Sequence, residues 1–239
     1  MFRVSCIQLR SNNHILQNLK KTEKFIIKAV QQKTDFIITP EVSSLFSLNK
    51  KQLLKICKSM KEDIYLNRIK LLAKKYKKWI LIGSLIIKIS KNKLVNRSVL
   101  IDKNGKIRTY YDKIHMYDVV LSKKEKYFES KTFTAGNKVK SFNLPWVKLG
   151  LSICYDLRFP ELYSVLSIKS DIIINIANWP QKRVDHWNTL LKARAIEGQI
   201  FIIGVNRTGE DGNNLIYQES SNIFNANGER VEYISFKDM

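Results

Sequence analysis

Cysteine is scarce in this sequence, with only Cys6, Cys57 and Cys154 among 239 residues. They form no CxxC pair and no metal-ligand spacing, so neither a disulfide-stapled scaffold nor a structural zinc site organises the chain, and a reducing cytoplasm is the expected compartment. Proline and glycine are also few, four and nine. That leaves little room for disordered linkers, and residues 1–239 are expected to fold as one domain. No apolar run approaches the length of a bilayer span. The N-terminus MFRVSCIQLR alternates like a strand and lacks the apolar core of a signal segment, so neither membrane insertion nor export is expected. Histidine is limited to His14, His115 and His186, which restricts imidazole-based chemistry to three positions.

Acidic residues are outnumbered two to one, 21 against 42 Lys and Arg, for a formal net charge of +21. Such an excess favours nucleic acid or an anionic surface as partner. The lysines, however, are spread along the chain among Ile and Asn, the residues AT-rich codons supply, and no run reaches the block length of a basic tail. A recognition helix, an aromatic RNP-like strand and a zinc site are not recognisable either. No specific nucleic acid partner is therefore expected, although anionic substrates would still be steered favourably.

The pattern along the chain alternates. Residues 2–9 read as a strand, with Ser11 or Asn12 available to cap a helix in which Ile15, Leu19, Phe25 or Ile26, and Ala29 or Val30 recur at helical spacing. A short strand over 35–39 stops at Pro40, which places Glu41 just past a strand's carboxyl end, where open α/β sheets bind their ligands. Residues 50–78 read as helical with a break near 61–63. Strands follow over 79–89, 94–102 and, after the Asn104-Gly105 turn, 106–111, with Lys113 directly beyond. A second strand-helix-strand unit covers 147–153, 161–168 and 171–177. After it come a helix over 185–198, strands over 200–206 and 216–224, and a last strand around Asn227-Gly228. Alternating helices and strands with embedded hairpins imply an α/β protein with a mixed sheet.

Cys154 ends the apolar run of GLSICYDLRFPELY, where a rigid strand would present a thiol at a sheet edge, the placement a covalent catalyst needs. Taken alone, a cysteine at the end of a buried strand is more often an inert small hydrophobe. Glu41, Lys113 and Glu129 taken singly read as surface charges. In combination the pieces are specific: Thr39-Pro40-Glu41, Gly-Ser-Leu at 83–85, Asp-Lys-Ile-His-Met-Tyr-Asp at 112–118, Glu-Ser-Lys-Thr at 129–132, Cys-Tyr-Asp-Leu-Arg-Phe-Pro-Glu-Leu at 154–162, His-Trp at 186–187 and Ala-Arg-Ala-Ile-Glu at 193–197. In this order and at these spacings the chain resembles the nitrilase superfamily of carbon–nitrogen hydrolases.

The resemblance implies a four-layer α-β-β-α sandwich, a homodimer, and a catalytic set of Glu41 as base, Lys113 as oxyanion cation and Cys154 as nucleophile. Glu129 is implied as a second glutamate that orients Lys113 or the substrate. The backbone N–H of Tyr155 is implied as the second oxyanion donor. Because thiol, carboxylates and ammonium supply all the charge and proton handling of amide hydrolysis, no metal or organic cofactor is expected. The 154–162 and 112–118 stretches look most like the branch that includes ω-amidases and deaminated-glutathione amidases, which implies a small amide bearing a carboxylate as substrate. Arg158, or Arg183 after the loop containing Trp179, could bind that carboxylate by a two-pronged contact, Arg158 reading equally as a structural salt-bridge partner, and all three are expected to line the substrate pocket. Alternatives at this level are a Cys–His hydrolase, a catalytically degraded relative and a basic nucleic-acid binding protein. The chain departs from the family pattern in lacking a glycine just after Glu41, in carrying Glu219 where relatives have glycine, and in ending at Met239, where a further strand is usual.

Overall fold

The computed structural model describes residues 2–47, 49–123, 125–211 and 215–232. Its first half comprises β1 (Val4–Cys6), α1 (Ile15–Gln31), β2 (Phe36–Ile38), α2 (Lys50–Ile56), α3 (Ile64–Tyr76), β3 (Trp79–Ser90), β4 (Lys93–Ile101) and β5 (Ile107–Asp112). A small hairpin, β6 (Asp118–Val120) and β7 (Lys126–Phe128), leads to the second half. That half holds β8 (Lys140–Asn143), β9 (Lys148–Ile153), α4 (Pro160–Ser167), β10 (Ile172–Ala177), α5 (Val184–Gly198), β11 (Phe201–Asn206), β12 (Gly209–Glu210), β13 (Ile216–Tyr217) and β14 (Asn222–Phe224). One five-stranded sheet runs β1-β2-β3-β4-β5 and another β14-β11-β10-β9-β8. Strands β1, β2 and β3 are parallel, as are β9, β10 and β11, while antiparallel strands flank each set.

Period-two alternation along these strands sorts the side chains into layers. Phe36, Ile38, Leu81 and Leu100 of the first sheet meet Leu149, Leu151, Ile153, Ile174, Ile176 and Val205 of the second in a shared apolar layer. The opposite face of the first sheet, with Ile37, Ile80, Ile82 and Val99, packs on Ile26 and Ala29 of α1 and Leu66, Ile69 and Ala73 of α3. Ile173 and Ile202 turn to the outer face of the second sheet, against Leu162 and Leu166 of α4 and Trp187, Leu191 and Ala195 of α5. The result is the α-β-β-α sandwich. Gly204 belongs to this design, since a Cβ there would lie 2.4 Å from Leu191 Cδ1 and 2.7 Å from the Trp187 ring.

Three local expectations are corrected. Helix α1 begins three residues later than a Ser11 cap, or two later than an Asn12 cap, would place it: His14 holds the N-cap position without a side-chain bond, and Asn12 Oδ1 instead accepts from the His14 N–H at 2.8 Å, fixing the turn before the helix. The stretch 216–224 is two short strands, because the chain breaks at 218–221, where Ser220 and Ser221 bond to the end of β11. Strands β6, β7, β8 and β12 have no counterpart in the sequence reading; all are short and half-exposed, so their apolar periodicity is weak. The Asn227-Gly228 turn is present, with Gly228 at φ +75° and a bridge between Phe224 and Arg230. The expected departure at the C-terminus falls on residues 233–239, outside the described residues. Among the described residues no helix is long and apolar enough to cross a membrane.

The loop that follows β2 is held by a bulge in β3. Thr39 N–H donates to Leu81 O at 3.0 Å, Gly83 N–H to Thr39 Oγ1 at 3.0 Å, Val42 N–H to Ser84 Oγ at 2.8 Å and Ser43 N–H to Ser84 O at 3.0 Å. Glycine is required at 83, because a Cβ would sit 1.8 Å from Thr39 O and 2.5 Å from Pro40 O, backbone atoms that cannot rotate away. Gly83→Ala is therefore expected to destabilise the protein by about 3 kcal/mol, the upper part of the overpacking range. Urea unfolding of the two proteins measures this, and an unchanged midpoint contradicts the role given to Gly83.

Candidate active site

Four of the residues singled out in the sequence arrive at one end of the two sheets. Glu41 follows β2, Lys113 follows β5, Cys154 follows β9, and Glu129 opens a short 3-10 turn after the β6–β7 hairpin. The Lys113 ammonium lies 2.8 Å from Glu129 Oε2, 3.0 Å from Glu129 Oε1 and 3.3 Å from Glu41 Oε1. Its side chain is 2% exposed, so this is a buried ion triad rather than a surface pair. Asn96 Nδ2 donates to Glu41 Oε1 at 2.8 Å, and the Asn178 N–H donates to Glu41 Oε2 at 2.8 Å. Tyr117 N–H donates to Glu129 Oε2 at 2.7 Å and so fixes the second carboxylate.

The backbone is arranged for this purpose. Cys154 has φ +46° and Val42, next to Glu41, has φ +43°. A left-handed conformation costs a non-glycine residue about 1–3 kcal/mol, and such positions cluster where geometry is dictated by a site. Asp156 compensates at the cysteine: its fully buried carboxylate accepts from Ile153 N–H at 2.9 Å, Tyr111 Oη at 2.7 Å and His115 N–H at 2.9 Å, tying the turn after β9 to β5 and to the segment after Lys113. On the lysine side, Arg97 grips Asp112 with two bonds of 2.6 and 2.7 Å, Lys113 N–H donates to Asn96 O, and Gly136 N–H donates to Lys113 O.

Electrostatics follow from the crowding. Burial opposes the charge on Lys113, but the carboxylates of Glu129 and Glu41 outweigh it and hold the ammonium well above its ordinary range. At Cys154, burial and then the Glu41 carboxylate push the thiol well above its ordinary range, against the pull of Lys113 and the Asn178 N–H. The resting site thus pairs a neutral thiol with a charged lysine. Such a thiol becomes a nucleophile only when a base takes its proton during attack.

The family model described as carbon-nitrogen hydrolase matches residues 3–237. The chain belongs to the carbon-nitrogen hydrolase family. A deaminated glutathione amidase of Dictyostelium discoideum is 33% identical, covering 99% of this chain and 87% of that protein. An ω-amidase, YafV, of Yersinia enterocolitica is 37% identical over 62% of this chain and 55% of its own length. Among solved structures, the NitFhit protein of C. elegans superposes with a TM-score of 0.85 at 29% identity, over 94% of this chain and 55% of that one. The fold is accordingly that of the nitrilase superfamily.

Around the triad of this carbon-nitrogen hydrolase, the expected pocket residues fare differently. Tyr155 packs edge-on against Tyr117, with centroids 5.1 Å apart. Trp179 is buried, its N–H held by Asn206 Oδ1 at 2.7 Å and its Nε1–H by Arg183 O at 2.7 Å. The Arg183 guanidinium donates to Glu125 Oε1 at 3.2 Å, its charge already matched. Arg158 stacks on Trp179, lies 3.2 Å from His186 Nδ1, and lines a cavity of about 270 Å³ with Asp185, His186, Thr189 and Leu190, a lining that includes none of Glu41, Lys113 and Cys154. The three histidines are occupied elsewhere: His115 Nδ1 is 2.7 Å from Asp156 and its ring stacks on Phe159, His186 meets Arg158, and His14 is exposed at the start of α1. The sequence reading missed Asn96, Asn178 and Asp156. Asp156 lay inside a quoted motif, but a carboxylate that holds backbone looks like any other in sequence; the asparagines carry no periodic signal. Among the described residues no cluster of three or more His, Cys, Asp or Glu side chains could hold a metal ion.

The sign of the coupling at Cys154 is testable. Glu41→Gln removes the negative charge that raises the thiol and leaves the Lys113 charge that lowers it. Thiolate absorbance near 240 nm, followed against pH, should therefore appear at lower pH in the variant than in the parent. A midpoint that stays or rises contradicts the arrangement.

Proposed function

We propose that this carbon-nitrogen hydrolase cleaves a small linear amide through a thioester on Cys154, with Glu41 as acid and base. Glu41 takes the thiol proton as sulfur adds to the amide carbonyl. The oxyanion of the tetrahedral adduct is met by the Lys113 ammonium and the Tyr155 N–H, donors aimed at charge that exists only along the reaction. Glu41 then returns its proton to the departing nitrogen, the C–N bond breaks, and ammonia or an amine leaves. In the second half Glu41 takes a proton from water as its oxygen attacks the thioester, and the proton returns to sulfur as the carboxylic acid is released. Glu129 keeps Lys113 charged and aimed throughout.

The observation that carries this reading is the buried ammonium shared by Glu41 and Glu129 beside a thiol at the end of a rigid strand. A His-dependent thiol mechanism has no support in the geometry, since His115 is committed to Asp156 and Phe159. The substrate class we favour is an amide bearing a carboxylate, because the relatives are named deaminated glutathione amidase and ω-amidase. Ammonia release from 2-oxoglutaramate, deaminated glutathione, an aliphatic amide, a carbamoyl amino acid and a nitrile ranks the alternatives.

Cys154→Ala should abolish ammonia release from every member of that panel while leaving the circular dichroism spectrum and unfolding midpoint near those of the parent. Parent-level turnover by this variant excludes the thioester route.

A further inference from the structure

Beside the nucleophile, the outer face of the second sheet buries three polar side chains that the reaction scheme above does not use. Ser152 of β9, Asn175 of β10 and Tyr163 of α4 are 2%, 0% and 4% exposed, in an otherwise apolar layer. Ser152 and Asn175 are register partners across the two parallel strands. Ser152 Oγ and Tyr163 Oη lie 2.7 Å apart, and Ser152 Oγ donates to Ile174 O at 3.1 Å. Asn175 Nδ2 meets both hydroxyl oxygens, at 3.1 and 3.0 Å, and also the carbonyl oxygen of Cys154, at 3.4 Å.

A carboxamide nitrogen carries two N–H groups. The two hydroxyl oxygens are close enough together to share one of them, which leaves the other for Cys154 O. That carbonyl also decides which way round the amide sits. Hydroxyls donate as well as accept, so either end of the amide could face them; a carbonyl oxygen only accepts, so the nitrogen must face Cys154. The cost falls on the other end, where Asn175 Oδ1 is buried with no donor among the described residues. An unmatched buried acceptor forfeits its hydration without return, and an apolar side chain of similar size would avoid that loss. Packing alone does not account for the trio.

Peptide planarity does. Among the described residues there is no cis peptide bond, so the Cys154 C=O and the Tyr155 N–H lie in one plane and point in opposite directions. Whatever holds the carbonyl therefore aims the N–H. This plane needs holding, because Cys154 has φ +46° and leads into a single 3-10 turn, Cys154–Arg158, whose hydrogen bonds are poorer than those of an α-helix. Asp156 bonds the Ile153 N–H before the cysteine, and Arg194 bonds the Leu157 carbonyl further on, whereas Asn175 bonds the Cys154–Tyr155 peptide itself. We propose that Asn175, oriented by Ser152 and Tyr163, is the positioning residue of the oxyanion site: by drawing the Cys154 carbonyl toward the outer layer it turns the Tyr155 N–H the other way, toward the reacting carbonyl. The inference rests on the amidase reading above and adds to it what aims one of its two oxyanion donors. The sulfur is carried by Cα and Cβ, outside this plane, so rotating the plane misaims the N–H without withdrawing the thiol.

Two reactions of the same thiol separate aim from position. Amide hydrolysis builds an oxyanion. Methylation by methyl iodide builds none: the S–C bond forms as the C–I bond breaks, iodide leaves and the thiol proton passes to base. Asn175→Leu should lower kcat on the best amide of the panel about 100-fold, the lower end of the loss for a missing oxyanion donor. KM should change little, because the N–H meets charge that exists only after attack. The second-order rate of Cys154 methylation, followed by mass spectrometry of its peptide, should stay at the parent value. Asn175→Ser, whose hydroxyl stops short of the Cys154 carbonyl, should show the same split and serves if the leucine variant does not fold. Hydrolysis and methylation that fall together assign Asn175 to support of the whole turn and overturn the proposal, as does hydrolysis at the parent rate in a folded variant. A parent protein that is methylated at Cys154 yet releases ammonia from no member of the panel overturns the amidase reading, and the proposal with it.

Discussion

The site depends on one buried ammonium held between two carboxylates. Lys113 is removed from water, and a lone charge there would lose several kcal/mol of solvation. Glu129 and Glu41 offset that loss and in doing so converge from two separate loops. Each carboxylate is pinned in turn: Glu41 by Asn96 and the Asn178 N–H, Glu129 by the Tyr117 N–H. The triad therefore acts as a geometric lock as well as a charge device. It joins the ends of β2, β5 and the β6–β7 hairpin to the cysteine that closes β9.

Two sheets packed face to face make that convergence possible. The parallel strands β2, β9 and β10 all end on the same side of the sandwich, so residues far apart in sequence emerge within a few ångströms of one another. The bulge at Gly83 brings the loop after β2 close enough for Glu41 to reach Lys113. The left-handed turn at Cys154 is braced by Asp156, which accepts from the Ile153 N–H just before it. Strain at Cys154 and Val42 is tolerable because the apolar layer between the sheets and the two helical layers outside them over-determine the backbone on both sides.

Much of this was legible in the chain itself. Strand ends at Thr39, Tyr111 and Ile153 could be read from period and punctuation, and each is followed within two residues by a charged or nucleophilic side chain. The ordered motifs then pointed to the family and its layered fold. What resisted reading is physical in kind. Asn96 and Asn178 act by donating single hydrogen bonds to a carboxylate, which no periodicity announces, and Asp156 works by holding backbone amides. The arginines show the same limit: Arg158 and Arg183 sit in prominent sequence contexts, yet both are paired with neighbours.

The central claim is that sulfur at position 154 carries the acyl group during turnover. Rapid acid quench of the wild-type enzyme during steady hydrolysis, followed by mass spectrometry of the peptide containing Cys154, observes it directly. The account predicts a mass increase equal to the acyl portion of the amide, labile to hydroxylamine and confined to that peptide. An acyl adduct on another residue, or single-turnover release of acid with no adduct at any time, would contradict it.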